Sequence, residues 1–281
     1  MLGLHAYSVT NLLEGLAATA FTWSNAATTN RSFLNDGRMD RRMVIGASVA
    51  SGITLVIDLG SALAVSGFAV LNSNVAVQKT SATLRVRAAD DAGISVNVVT
   101  AKAASTLYSS STPRNKDHVL QFASVTKRYW ELTWTWSAPN VTNFAIGELW
   151  AFSASTALSR RTIYGSGEGK KMFTASTPFE TGERRGLKLG GPQRGLSLRW
   201  SDLSPSERDE LDVMWSAVEA NIAPFLWIDS RETVATAAAA AEQNCVFGRL
   251  DEDEVDFANH DFDRHDFAGF RLRSAGREAG A

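Results

Sequence analysis

The segment Tyr129–Trp136 constrains this chain more than any other. It reads Tyr-Trp-Glu-Leu-Thr-Trp-Thr-Trp. Strict alternation puts Trp130, Leu132, Trp134 and Trp136 on one face, and Tyr129, Glu131, Thr133 and Thr135 on the other. That period belongs to a half-buried strand. A face carrying three indoles has to be covered by other apolar surface, because large aromatics dominate core burial.

Neighbouring segments obey the same rule. Ile53–Leu59 is rich in β-branched residues and ends at Gly60. Phe68–Leu71 follows Gly67 and stops at Asn72-Ser73-Asn74. In Ala82–Ala88, Leu84 and Val86 oppose Thr83, Arg85 and Arg87. Asp90-Asp91-Ala92-Gly93 signals a turn before Ile94–Val99, and Phe144–Phe152 forms a last strand around Gly147. Residues 100–118 are small and polar and read as a surface loop. Many short strands without a long helical period predict a mainly β protein, with an N-terminal β-sandwich over 1–155.

Residues 156–194 are Gly-rich and read as a linker or extended arm. Gly165-Ser166-Gly167 and Gly190-Gly191 lack the Gly-Lys-Ser/Thr ending of a phosphate-binding loop. Residues 195–281 read as a smaller α+β domain with one amphipathic helix on a sheet. Ser204 fits the N-cap, Pro205 the first helical position, and Glu207 closes a capping box. Leu211, Met214, Trp215, Val218 and Ile222 then form an apolar face, a candidate subunit interface, and Pro224 stops the helix. Strands are expected at Gly195–Trp200, Phe225–Ile228, Cys245–Leu250 and Phe267–Leu272, and Ala235–Ala241 is either helix or loop.

With 28 Lys and Arg against 30 Asp and Glu, the net charge of −2 gives no field to attract nucleic acid. Basic residues cluster over 160–199 and acidic ones over 251–266, which reads as solvated faces or as complementary subunit patches. The lone Cys245 excludes an intrachain disulfide and fits assembly in a reducing compartment. No apolar run is long enough to span a bilayer, and Met1–His5 does not resemble a leader. A soluble chain without membrane insertion is expected.

The run Asn35-Asp36-Gly37, the strand ending Ile57-Asp58-Leu59-Gly60 and Val65–Asn74 resemble discoidin-like, or galactose-binding-like, domains. Tyr129–Leu132 and Ile146–Trp150 fit the same pattern. The resemblance implies a jelly-roll sandwich over about half the chain. The order of segments also resembles minor or distal tail proteins of long-tailed bacteriophages, through Leu71–Val75 with Ala82–Asp91, Leu203–Arg208 and Pro224–Asp229.

The discoidin-like resemblance implies a calcium site where the Asn-Asp-Gly loop meets the Glu of the closing strand, at Asn35, Asp36, Asp40 and Glu148. Arg38, Arg41 and Arg42 crowd that loop, and a salt-bridged turn without metal is the competing reading. Trp23, Arg31, Arg38, Tyr108 and Arg114 are candidate glycan-binding residues, although Trp23 and Tyr108 suit a core equally. The repeat Asn259–Phe267 holds two His and several Asp, but the His spacing suits neither a helix face nor a strand face. Nucleophile elbows and His-Glu-x-x-His pairs are absent, so no catalytic residue is assigned and the chain reads as non-enzymatic.

Two functions follow. The first is a structural subunit of a phage tail tip or baseplate. It would form homo-oligomeric rings, join other tail proteins, assemble in the host cytoplasm and contribute to host attachment. The alternative is a carbohydrate-binding module protein that recognises a cell-surface glycan.

Overall fold

The computed structural model describes residues 6–25, 28–37, 41–75, 82–103, 116–137, 140–159, 167–171, 174–178, 184–188, 193–218, 224–229, 241–250, 257–261 and 264–274. The chain divides into two compact units. The first comprises Met1–Ala157 with Leu226–Cys245, the second Leu158–Phe225 with Val246–Ala281. The protein is mainly β with one α-helix among the described residues.

The first unit begins with β1 (Ala6–Ser8), β2 (Phe21–Trp23), β3 (Thr28–Thr29) and β4 (Met43–Ile45). Next come β5 (Gly52–Ser73), β6 (Thr83–Ala89), β7 (Val96–Ala103) and β8 (Lys116–Thr135). β9 (Phe144–Ile146), β10 (Glu148–Phe152) and β11 (Thr156–Ala157) close the N-terminal segment. The strand expected over Phe144–Phe152 is interrupted at Gly147, whose N–H donates to the Leu71 carbonyl at 3.0 Å. The loop expected over 100–118 is shorter, because β7 continues to Ala103 and β8 starts at Lys116.

Among the described residues of β1 to β11 the ladders are antiparallel, and β5 and β8 form the central ribbon. The first half of β5 pairs with the second half of β8, flanked by β2 on one side and β6 then β7 on the other. The second half of β5 pairs with the first half of β8 and with β10. The register jumps between Asp58↔Tyr129 and Leu63↔Lys127. Gly60 enables this corner with φ +77°. Asp58 ties it by accepting from Gly60 N at 2.8 Å and from Arg128 Nε and Nη2 at 2.7 and 2.8 Å. That guanidinium fork holds the Asp58 carboxyl below its ordinary value.

β3, β4 and β9 make a separate three-stranded sheet. The inward residues of β5, β6 and β8 pack with Met43, Ile45, Phe144 and Ile146 of that sheet in one core cluster. Trp130, Leu132 and Trp134 are almost fully buried, as the alternation requires. Phe68 meets Trp130 edge-on at 5.4 Å, and Phe144 meets Trp134 edge-on at 5.6 Å. Burying roughly 200 Å² per ring at about 25 cal/mol per Å² yields about 5 kcal/mol each, an upper figure.

In the second unit, β12 (Gly167–Lys171) pairs with β15 (Gln193–Leu203), which pairs with β19 (Arg264–Ser274). β18 (Phe257–Asp261) also pairs with β19, and β13 (Thr174–Pro178) with β14 (Arg184–Lys188). Two further strands, β16 (Phe225–Asp229) and β17 (Ala241–Leu250), are divided between the units, Leu226–Cys245 belonging to the first. In the first unit, Leu226–Ile228 pairs with β1 and Ala241–Asn244 with β8. Gly248–Leu250 pairs with β19. The described residues of the Gly-rich stretch are thus mostly strand, with paired backbone groups.

The helix α1 spans Pro205–Ala217. Ser204 Oγ accepts from Glu207 N at 3.4 Å, while Glu207 Oε2 accepts from Ser204 N at 2.8 Å, which completes the capping box. The expectation of a partner-facing stripe is corrected here. Leu211, Met214 and Val218 are buried inside their own unit, where α1 packs on β15 and β19, and Trp215 is half-buried. The large apolar side chain that α1 does expose is Val213, on another face. Ile222 lies outside the described residues.

Gly67 lies opposite Phe152 in β10, and a Cβ there would collide with the Phe152 ring and come within 2.8 Å of the Leu120 carbonyl oxygen. Gly67→Ala is expected to cost about 1–3 kcal/mol by overpacking. Urea unfolding measures it, and an unchanged midpoint would contradict this packing.

Candidate functional site

The Glu148 side chain is the centre of the site. It begins β10, directly after the break at Gly147, and is 0 % exposed. Burying a carboxylate is unfavourable unless donors replace its water. Gly37 N donates to Oε2 at 3.1 Å, and Asn11 Nδ2 approaches Oε1 at 3.5 Å. The Asn-Asp-Gly turn and the closing strand therefore meet, as the discoidin-like resemblance implies. The turn itself reaches the acid through a backbone N–H.

Asn11 extends the junction. Its Nδ2 donates to the Leu149 carbonyl at 3.1 Å, and its Oδ1 accepts from Leu13 N at 3.1 Å and Ala151 N at 3.0 Å. One amide thus satisfies the N-terminal turn and β10 together. Asn35 Nδ2 donates to the Leu13 and Leu16 carbonyls, which fixes the same turn to the Asn-Asp-Gly loop. Asp36 Oδ2 lies 3.9 Å from Arg41 Nη1, and the Arg41 guanidinium sits 5.3 Å from the Phe33 ring centroid. Arg42 Nη2 donates to Asn72 Oδ1, with Asn72 held at φ +53° and buried.

The four residues named for calcium divide accordingly. Asn35, Asp36 and Glu148 lie around one junction, and Asp40 falls outside the described residues. Calcium takes roughly six to eight oxygen ligands. Here Glu148 already accepts N–H donors and Asp36 faces a guanidinium. No cluster of three or more His, Cys, Asp or Glu occurs among the described residues. The described donors around Glu148 and Asp36 thus make a hydrogen-bonded turn.

The glycan residues fare differently. Trp23 is corrected from sugar platform to core residue, with 5 % exposure. It stacks on Trp134 at 6.1 Å and meets Phe144 edge-on at 6.0 Å, so neither ring face is open to a ligand. Arg31 is half-buried and donates from Nη1 to the Phe21 carbonyl at 3.5 Å. Arg38, Tyr108 and Arg114 lie outside the described residues. His265 sits opposite Asn259 in the β18–β19 hairpin, whereas Phe262 and Asp263 are outside the described residues.

Sequence reasoning missed Asn11 and Gly37 as members of this junction, and Arg42–Asn72 as a neighbouring clamp. Asn11 sits in Thr10-Asn11-Leu12-Leu13, a lone amide before an apolar pair. That is a turn signal at most, and its partners lie 137 to 140 positions away.

No family model matches the chain, and no curated protein matches it. Solved structures similar to it include carbohydrate-binding modules. One is chitosan-binding module 1 of a chitosanase/glucanase from Paenibacillus sp. IK-5, 18% identical, over 51% of this chain and 98% of that one, with a TM-score of 0.38. Another is the CBM32 module of AlyQ in complex with 4,5-unsaturated mannuronic acid, 23% identical, over 53% and 98%, with a TM-score of 0.35. A third is a pectin-binding module, 15% identical, over 52% and 94%, with a TM-score of 0.36.

Asn11→Ala leaves the buried Leu13 and Ala151 N–H groups without their acceptor. The expected loss is about 2–3 kcal/mol, read by chemical denaturation. A loss below about 0.5 kcal/mol, the scale of an ordinary surface substitution, would contradict the junction.

Proposed function

We propose that the chain is a non-catalytic glycan-recognition protein, whose first unit presents sugar-binding loops held in place at Glu148. The observation that carries this reading is the junction itself. A fully buried carboxylate and one amide join the N-terminal turn, the Asn-Asp-Gly loop and β10. Loops fixed before binding lose less entropy when a ligand arrives. A polar, flexible ligand such as an oligosaccharide benefits most from such preorganisation. Arg31 remains a ligand-facing residue in this proposal, with Arg38, Tyr108 and Arg114 as further contributors, while Trp23 serves the core.

The tail-subunit reading drew on the order of segments and the opposing charged stretches, with the apolar helix face as its candidate interface. Leu211, Met214 and Val218 are internal, so the helix offers no such interface through them. Calcium is not needed for the loop geometry proposed here, because backbone and amide donors occupy Glu148.

Titration calorimetry of the full chain against a panel of neutral and acidic cell-surface oligosaccharides tests the proposal. A dissociation constant of order 0.1 mM, about −5.5 kcal/mol, is expected for at least one class, with the same value in calcium and in EDTA. No binding to any glycan, together with ring formation or assembly onto tail components, would replace this reading with the structural one. Binding that disappears in EDTA would restore the metal.

A further inference from the structure

The outward face of β6, β8 and β5 is polar along its length. The register sets Thr83 beside Thr135, then Arg85, Thr133 and Thr54 in one row, then Arg87, Glu131 and Val56 in the next. Glu131 is the hub of this face. Its Oε1 accepts from Arg87 Nε at 2.7 Å, Arg87 Nη2 at 2.6 Å, Thr133 Oγ1 at 3.0 Å and Arg85 Nη2 at 3.4 Å. Two guanidinium groups therefore share one carboxylate, chiefly through a single oxygen. Arg87 holds it in a fork, and Arg85 has only the long contact. Arg85 Nε is buried and has no partner among the described residues, although the side chain as a whole is 38% exposed.

The row is one anion short. A second carboxylate placed on the exposed end of Arg85 would accept from its two terminal nitrogens, since the buried Nε is out of a ligand's reach. Around it lie the hydroxyl pairs Thr54–Thr133 at 3.3 Å, in which Thr54 donates because Thr133 gives its proton to Glu131, and Thr83–Thr135 at 2.6 Å, in which either oxygen can donate. Such hydroxyls match ligand groups that also both donate and accept, as sugar hydroxyls do. The face offers little apolar area for a protein partner, Val56 being its half-buried exception. A net charge of −2 gives no long-range pull on nucleic acid.

From this charge complementarity we infer that the β6–β8–β5 face is a second glycan site, and that it takes a strand of uronate-bearing polysaccharide with one carboxylate on Arg85. The inference rests on the glycan reading above for the class of ligand, but not for the location. Glu131 tunes the site, since it neutralises part of the charge that the ligand would otherwise meet.

The test titrates the full chain with oligogalacturonate and with the same oligosaccharide fully methyl-esterified, which keeps the hydroxyls and removes the charge. The wild type is expected to prefer the acid by about tenfold, with the gap closing as salt is added. Arg85→Gln should abolish the preference. Glu131→Gln should widen it several-fold, because the arginines lose their competing carboxylate and keep a neutral acceptor. A purely structural role for Glu131 would not raise affinity. Near-UV circular dichroism confirms that each variant is folded, and Glu131→Gln carries the test should Arg85→Gln misfold. Equal binding of acid and ester overturns this inference and leaves the glycan reading standing. No binding of either, with no other glycan bound, removes both. Loss of the acid preference in Glu148→Gln but not in Arg85→Gln places the charge recognition at the loops and also overturns it.

Discussion

The pairing of β5 with β8 is the constraint on which the first unit depends. Its fifteen register pairs carry the inward tryptophans, the corner at Gly60 and the outward row of polar residues. One face of the ribbon gains several kcal/mol per buried ring, which favours a single register. A slip by one residue would send Trp130 and Trp134 outward and bury Tyr129, Thr133 and Thr135. The register jump between Asp58 and Leu63 lets one continuous ribbon pair with β2 and β6 in one half and with β10 in the other.

Glu148 and Glu131 both sit on this frame, and their surroundings assign them different tasks. Glu148 is sealed from water and held by an amide and a backbone N–H, so it fixes loop positions. Glu131 is held by cations and keeps Oε2 without a partner among the described residues. The first is an internal tie. The second, itself buried, lies on a polar face with more positive than negative charge, whose arginines reach solvent.

Much of the sandwich was legible because alternation is a local property. Tyr129–Trp136, Ala82–Ala88 and Ile53–Leu59 each announce a strand and its buried face from adjacent residues. The capping box at Ser204 and Glu207 is equally local, and it holds atom by atom. The loop pairing at Glu148 was reachable only through the discoidin-like resemblance, since nothing near Asn35 or Glu148 encodes their proximity. Asn11 was not reachable at all, because a single amide acquires its role from partners far along the chain. Trp23 was misassigned for a related reason. Phe21 and Trp23 alternate over three residues, too few to reveal which face is covered. The helix stripe was visible, but periodicity cannot say whether a chain covers its own apolar face or offers it to another.

Amide hydrogen exchange at Gly37 tests the Glu148 junction most directly. In the native chain this N–H is expected to exchange orders of magnitude more slowly than in an unstructured peptide. In Glu148→Ala it should exchange rapidly, while amides of the β5–β8 ribbon stay protected. A Gly37 amide that exchanges at the unstructured rate in the native chain, or one whose protection survives Glu148→Ala, would contradict a loop held by the buried carboxylate.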